Sequence, residues 1–487
     1  MDGVTSLGDL LFAGDDDGAS LLLHTAGRDH TLDEVRERAT AIAGALADAG
    51  ADVGAPIGVM LPDAEVVPAL FGVWRLGGAH LPLNPRLGGS DLAHVLDAVD
   101  PAVVITTAAH ADRFGDRPVV VVADGRVTLR PGTPGTRRFD PDVALVQLTS
   151  GTTGRPKPVL LTHSGVLPLL ENVVASLRTK RTGGGPAEAP MPNLVPVSLS
   201  LWAGIYQVLF ARVVGAPVVV MDGFDPQEFA HLVEQFGIRS TVLPPAAMTT
   251  LSDDERITSL APLRYVRSIT APLSPLQARR FRDRFGIAIL NCYGQTEIGG
   301  EIIGWTGADA KAHPDKLGAV GRPHAGVEVR VEEGTSELQV LTPALSAGYA
   351  DGRDLSDRLT SDGWFRTGDV GRVDPEGFVW IEGRLSDMIN RGGHKVFPGE
   401  VEEVLRLAPD VADVAVAGVP DDRLGEVPWA FVVPVAGRAP GPEDLAALCR
   451  EHLVPYKVPV RFEVVDALPR NDVGKVLTRE LVAGVTG

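Results

Sequence analysis

The sequence predicts an α/β protein with a large N-terminal lobe of parallel-rich sheets and helices and a small α+β C-terminal lobe. Three observations carry this expectation. At 487 residues the chain is longer than one hydrophobic core usually supports. Strand-like and helix-like patterns alternate through the first half, as crossover units of a mostly parallel sheet require. The last hundred residues change texture to short, compact elements.

Each element has its own signature. Thr31 and Glu34 form a capping box ahead of a helix carrying Val35, Ala39, Ile42, Ala43 and Leu46 on one face, and Gly50 closes it. Residues 57–61 read as a buried strand and residues 64–76 as a helix stopped by Gly77-Gly78. A helix over 90–100 and strands over 103–106 and 119–122 follow. The alternation resumes with strand 217–221, helix 228–235 and strand 241–243, and Thr182 to Pro186 between the two stretches reads as a surface loop. In the last part, 398–407 and 443–452 read as helices and 411–419 as a strand. No internal repeat of solenoid or propeller period is present.

Composition excludes several classes. With 63 acidic against 45 basic residues the net charge is −18, which repels nucleic acid and anionic membrane. The residues from Met388 onward are also acidic on balance, so neither lobe is a cationic binding module. Two cysteines, Cys292 and Cys449, cannot form a disulfide framework, and reduced thiols in the cytoplasm are expected. The N-terminal residues carry Asp2 and Asp9 with no basic n-region, so no signal peptide is expected. The longest uncharged run, Ala189 to Ala211, contains Pro190, Pro192, Asn193, Pro196 and Gln207, and reads as buried core rather than a membrane span.

The segment Leu148-Thr149-Ser150-Gly151-Thr152-Thr153-Gly154-Arg155-Pro156-Lys157 carries the strongest chemical signal. Its glycines let the backbone approach an anion, its four hydroxyls supply donors, and Lys157 adds a point charge, a combination suited to a polyphosphate. The spacing is not that of a Walker loop. A polar surface turn is its plainer alternative.

The segment resembles the phosphate loop of the adenylate-forming superfamily, which includes acyl-CoA synthetases, nonribosomal adenylation domains and firefly luciferase. Four further stretches follow in that family's order: Tyr293-Gly294-Gln295-Thr296-Glu297, Gly363 to Asp369, Gly383-Arg384-Leu385-Ser386-Asp387, and Pro469 to Lys475. The resemblance spans nearly the whole chain. It implies lobes of residues 1–386 and 387–487, the smaller one mobile and pivoting at Asp387.

The resemblance also implies roles, each with a physical reason. Thr149, Ser150, Gly151, Thr152, Thr153, Gly154 and Lys157 would hold phosphates. Tyr293 offers a flat face to adenine, with Gly294, Gln295, Thr296, Ala271 and Pro272 around the nucleotide. Glu297, with Thr152, would take Mg²⁺, a hard cation that favours a carboxylate plus phosphate oxygens. The Asp369 carboxylate would accept from both ribose hydroxyls, and Arg384 would reach ribose or phosphate. Taken singly, a Gly-Asp turn is structural and an exposed lysine is a solvated charge. In the family the lysine matching Lys475 neutralises charge on the α-phosphate as the acid attacks. Lys475, Thr152 and Glu297 are therefore the expected catalytic residues, while His163, His394 and Cys292 are expected to be ordinary.

The expected acid pocket is Ser200, Trp202, Ile269 and Thr270, and Gly392, Gly393, His394 and Lys395 are expected near CoA or another acceptor. Departures from the pattern fall mainly in the pocket. Pro158 replaces the usual glycine and has no N–H. Residues 196–202 lack the family's histidine, and Ile269-Thr270 replace two glycines. These bulkier walls suit a short or planar acid. The leading expectation is ATP-dependent activation of a small acid with release of pyrophosphate, then transfer to CoA. A carrier-protein acceptor, an atypical acid such as nitrite activated as in ATP-dependent diazotases, and a nonenzymatic nucleotide-binding relative remain alternatives.

Overall fold

A computed structural model describes residues 4–13, 17–123, 125–150, 156–178, 190–470 and 476–486. Gly151, Thr152, Thr153, Gly154, the expected loop Thr182–Pro186 and Lys475 lie outside these residues.

Packing divides the chain into two units. The first comprises residues 1–317, 321–327 and 342–357, and the second comprises 318–320, 328–341 and 358–487. In the first unit the predicted alternation becomes a seven-stranded sheet. Its neighbours run Arg126–Arg130, Val119–Ala123, Val103–Thr106, Pro56–Met60, Ala79–Pro82, Val143–Ser150 and Pro156–Thr162. The five inner strands are parallel and the two outer ones antiparallel. Strands with both faces covered read as continuous apolar runs, and Pro56–Met60 is buried throughout. Pro158 lies on the outer strand of this sheet and turns its nitrogen away from Val143–Ser150, so the missing N–H costs no bond between those two strands.

A second parallel group joins Asn193–Val195, Val218–Val220 and Leu21–Thr25, and a third joins Ser240–Leu243, Tyr265–Ser268 and Ala288–Leu290. Around the third, Phe229, Leu232, Met248, Leu251 and Phe281 form a core. The capping box at Thr31 is present, and the helix Leu32–Asp48 buries Val35, Ala39, Ile42 and Leu46. Ala43 sits off that face and is only half-buried. The uncharged run ends in the buried strand Asn193–Val195 and the helix Trp202–Val214. Among the described residues no helix is long and apolar enough to cross a membrane.

The second unit contains an antiparallel sheet of Glu328–Val331, Glu337–Leu341, Phe365–Val373 and Val379–Arg384. It also contains a five-stranded sheet built on the long hairpin Val411–Asp421 and Gly425–Pro434. Helices Pro398–Leu405 and Pro442–His452 cover that sheet, burying Val401, Leu405, Leu445 and Cys449.

Candidate functional site

The phosphate segment begins as the strand Val143–Ser150 and returns as Pro156–Thr162, with Thr149 opposite Lys157. The two flanks of the loop are thus fixed by a hairpin ladder, and Lys157 leaves it half-buried. Gln147, just ahead of the motif, donates from Nε2 to the Ser200 carbonyl at 3.2 Å, tying the hairpin to the expected acid-pocket segment.

Residues 346–350 join this hairpin to Glu297. The Ala350 N–H donates to the Pro158 carbonyl at 2.8 Å and the Leu160 N–H to the Gly348 carbonyl at 2.9 Å, which lays the segment along the edge strand. From there the Ser346 N–H donates to the Glu297 carbonyl at 2.8 Å, and the Tyr349 hydroxyl donates to the Glu297 carboxylate at 3.4 Å. The strand Pro156–Thr162 also packs against the turn Thr296–Ile298. A half-buried carboxylate is therefore held beside the phosphate hairpin. One carboxylate beside substrate phosphates is the donor set Mg²⁺ usually takes, so Glu297 fits the expected ion.

Tyr293–Gln295 lie on a strand paired with Gly300–Gly304. The half-buried Tyr293 ring is oriented by Gln295, whose Nε2 donates to the phenol oxygen at 3.1 Å. Gly294 has a reason beyond nucleotide contact. A Cβ there would lie 1.7 Å from the Gly300 carbonyl oxygen, so the hairpin closes only over glycine. Trp202 is buried and donates from its indole to the Gly299 carbonyl at 3.0 Å, packing the start of its helix onto this turn.

Thr270 follows the strand Tyr265–Ser268 and adopts φ 70°. A β-branched residue in the left-handed region is strained by about 1–3 kcal/mol. Exposed Ala271 and Pro272 continue the same turn, with the Ala271 N–H bonded to the Ile269 carbonyl at 2.9 Å.

In the second unit Asp369 and Arg384 face each other across an antiparallel pair. Arg384 Nε lies 3.3 Å from the Asp369 carboxylate; the aspartate side chain is 7% exposed and the arginine 48%. The turn is braced by the Gly368 N–H on Glu337 at 2.8 Å and the Asp369 N–H on the Thr367 hydroxyl at 3.1 Å. Asp387 is exposed and ends a short turn in which Ser386 donates to its carboxylate at 2.9 Å. Gly392 and Gly393 form a two-residue hairpin loop with φ 58° and 90°, the conformation that such turns demand. His394 stacks on Tyr456 at 4.5 Å, and Lys395 donates to the Gly334 and Thr335 carbonyls at 2.9 and 3.1 Å.

Besides Tyr349, the sequence reading passed over two groups. Asp63 accepts from the Leu199 N–H at 2.8 Å and from the Ser198 hydroxyl at 3.1 Å, anchoring the segment that leads to Ser200 and Trp202. Burial pushes its carboxyl up to about 6, despite those hydrogen bonds. Cys292, expected to be ordinary, belongs to a polar cluster with Tyr206, Arg267, Glu301 and His324. Arg267 pairs with the Glu301 carboxylate, and His324 Nε2 lies 3.0 Å from the same oxygen. Burial would raise the Glu301 carboxyl, but the Arg267 charge and His324 overcome it and hold it below the usual carboxylate range. Burial pushes the Cys292 thiol well up and the Tyr206 phenol up. Neither group belonged to a recognisable motif; Glu301 stands four residues beyond Glu297 with nothing local to mark it.

A parallel-rich sheet carrying the hairpin Val143–Thr162, with the Glu297 carboxylate held beside it, is the frame of an α/β protein. The model of the AMP-binding enzyme family matches residues 16–346, and that of the AMP-binding enzyme C-terminal domain matches 400–475. Indoleacetate–CoA ligase of Aromatoleum aromaticum is 33% identical over 459 residues, 87% of each chain. Feruloyl-CoA synthase of an Amycolatopsis species is 32% identical over 435 residues, 85% of each. The crystal structure of ATP-bound MatB from Rhodopseudomonas palustris superposes with a TM-score of 0.85 at 25% identity, covering 98% of each chain. The chain belongs to the AMP-binding enzyme family and is an AMP-forming ligase.

Proposed function

We propose that the protein activates a small acid as its adenylate at the expense of ATP and then transfers the acyl group to a thiol acceptor, CoA first among them. The supporting observation is the enclosure of Glu297, which residues 346–350 tie to the phosphate hairpin. The acid's carboxylate oxygen attacks the α-phosphorus, the α–β phosphoanhydride bond breaks, and pyrophosphate leaves. In the second step the acceptor sulfur attacks the acyl carbon, the C–O bond to AMP breaks, and the thiol proton passes to solvent.

In the first unit Thr149 to Gly154 and Lys157 hold the phosphates, and Tyr293 holds adenine with Gly294 to Thr296, Ala271 and Pro272 around it. Glu297 and Thr152 hold Mg²⁺, which neutralises phosphate charge when bound. In the second unit Asp369 and Arg384 serve the ribose, Lys475 the α-phosphate, and Gly392 to Lys395 the acceptor. A pivot at Asp387, between lobes of residues 1–386 and 387–487, alternates the two steps. The acceptor assignment is supported by the names of the indoleacetate and feruloyl relatives, each of which uses CoA.

The test has two stages. ATP–pyrophosphate exchange across aliphatic, aromatic and inorganic acids identifies the acid. Release of AMP is then followed with CoA, a phosphopantetheinyl carrier protein, or an amine. CoA-dependent thioester formation supports the reading, and exchange only with nitrite, or transfer only to a carrier protein, replaces its finer part.

A further inference from the structure

We propose that Arg267, Glu301 and His324, with the Tyr206 hydroxyl, form the far end of the acid pocket and select a short acid with a second oxygen-bearing polar group. A hydroxy-, oxo- or dicarboxylic acid has this character. The proposal rests on the adenylation reading and names the substrate class for it.

The cluster is contiguous with the expected pocket within the first unit. Arg267 lies on the strand Tyr265–Ser268, two residues before Ile269. Tyr206 stands one helical turn after Trp202, the two rings 5.7 Å apart. Glu301 follows Gly300, and a Cβ at Gly300 would lie 2.6 Å from the Trp202 indole nitrogen. Gly304 completes the arrangement, because a Cβ there would meet Glu301 at 2.5 Å and Arg267 at 2.9 Å.

These side chains are enclosed by protein yet still wetted. Desolvation is the foremost influence on Tyr206, Arg267, Cys292 and Glu301. Even so, the side chains of Arg267, Glu301 and His324 keep 28%, 21% and 29% of their surface accessible. Side chains in that condition stay within reach of an occupant.

Donors outnumber acceptors there. The guanidinium has five N–H groups. It directs Nη1 to Glu301 and Nη2 to the Trp305 carbonyl at 3.2 Å, which leaves further N–H groups for an occupant. The Tyr206 hydroxyl adds one more, while His324 Nε2 is engaged with the same Glu301 oxygen that Arg267 Nη1 meets. An alkyl chain would strip water from these donors and return nothing, whereas an oxygen-bearing terminus accepts from them. A site built to hydrogen-bond a substrate group rejects the analogue lacking it by roughly 10⁴–10⁵-fold in favourable cases.

The experiment is ATP–pyrophosphate exchange with matched acids of equal chain length: butanoate against 4-hydroxybutanoate and succinate, and pentanoate against 4-oxopentanoate. Wild type should prefer a polar-ended member by at least about 100-fold in kcat/KM. The double substitution Arg267→Met with Glu301→Leu removes both charges together, so neither is left orphaned. It should lose the preference and gain turnover with the alkanoate. Tyr206→Phe, which deletes one hydroxyl, should lower the polar-ended kcat/KM and spare the alkanoate. Preference of wild type for an alkanoate or for nitrite overturns the proposal while leaving adenylation standing. So does an unchanged preference in a double variant that retains the wild-type Tm and ATP binding. Failure of wild type to exchange with any acid instead overturns the adenylation reading beneath it.

Discussion

Replacing Asp369 with alanine is expected to raise the KM for ATP by about 10- to 100-fold while moving stability little. The separation follows from the geometry. Asp369 is buried, but its partner Arg384 is half-exposed, and their closest approach is 3.3 Å. Removing the carboxylate frees a guanidinium that water can solvate, so the lost ion pair costs at most about 1 kcal/mol. A ribose held by a carboxylate gains charge-assisted hydrogen bonds worth about 1.5–3 kcal/mol in total, and each 1.36 kcal/mol is tenfold in affinity. The contact exists in ground and transition states alike, so the loss falls on KM more than on kcat. Steady-state exchange kinetics with ATP and acid varied independently measure it, beside a thermal melt. A shift confined to the acid's KM would place Asp369 in the other pocket. A collapse of Tm with no selective effect on ATP would make it a structural residue.

Three further outcomes are expected. The Asp63 carboxyl is raised to about 6 from 3.8, so its ionisation opposes the fold increasingly as pH rises from about 4 to 6, by up to about 3 kcal/mol above that window. Asp63→Asn, which keeps an acceptor for Leu199 and Ser198, should gain Tm relative to wild type between pH 4 and 7.5; a pH-independent difference refutes this. Thr270→Gly should relieve the left-handed strain at φ 70° and stabilise by about 1 kcal/mol, read as a rise in Tm; an unchanged or lower Tm shows that the conformation carries no cost. Asp387→Pro fixes φ near −65° in the exposed turn and should separate the half-reactions, leaving one nearly intact and the other severely slowed. Equal retention of both steps would remove the pivot from this residue.

Much of the fold was legible because its signals are local. The Thr31 capping box, the glycine stop at Gly77 and the apolar run in Pro56–Met60 each report on a few neighbouring residues. The motifs expected to serve the nucleotide stand out in the sequence for a related reason, since a phosphate loop must be contiguous to place its donors. The long-range polar contacts around residues 198–202 and 267–301 were not legible. Asp63 reaches Leu199 across 136 positions, and Arg267 reaches Glu301 across 34, so neither pair leaves a pattern along the chain. Tyr349 was missed likewise, because its hydroxyl meets Glu297 only after residues 347–350 have paired with the edge strand. Gly294 was read as room for the nucleotide, whereas the hairpin partner Gly300 already demands it. Thr270 shows the reverse: a residue unlike the family's glycine still takes the glycine conformation.

The central claim is acid-dependent adenylation that relies on Lys475, and ATP–pyrophosphate exchange with wild type and Lys475→Ala tests it most directly. A single preorganised charge contact on the transition state is worth about 3–4 kcal/mol, or roughly a hundred- to thousand-fold in rate. The account predicts exchange that requires both acid and Mg²⁺ in wild type, a loss of that size in the variant, and retained ATP binding. Exchange by Lys475→Ala at the wild-type rate, or none by wild type with any acid, would contradict it.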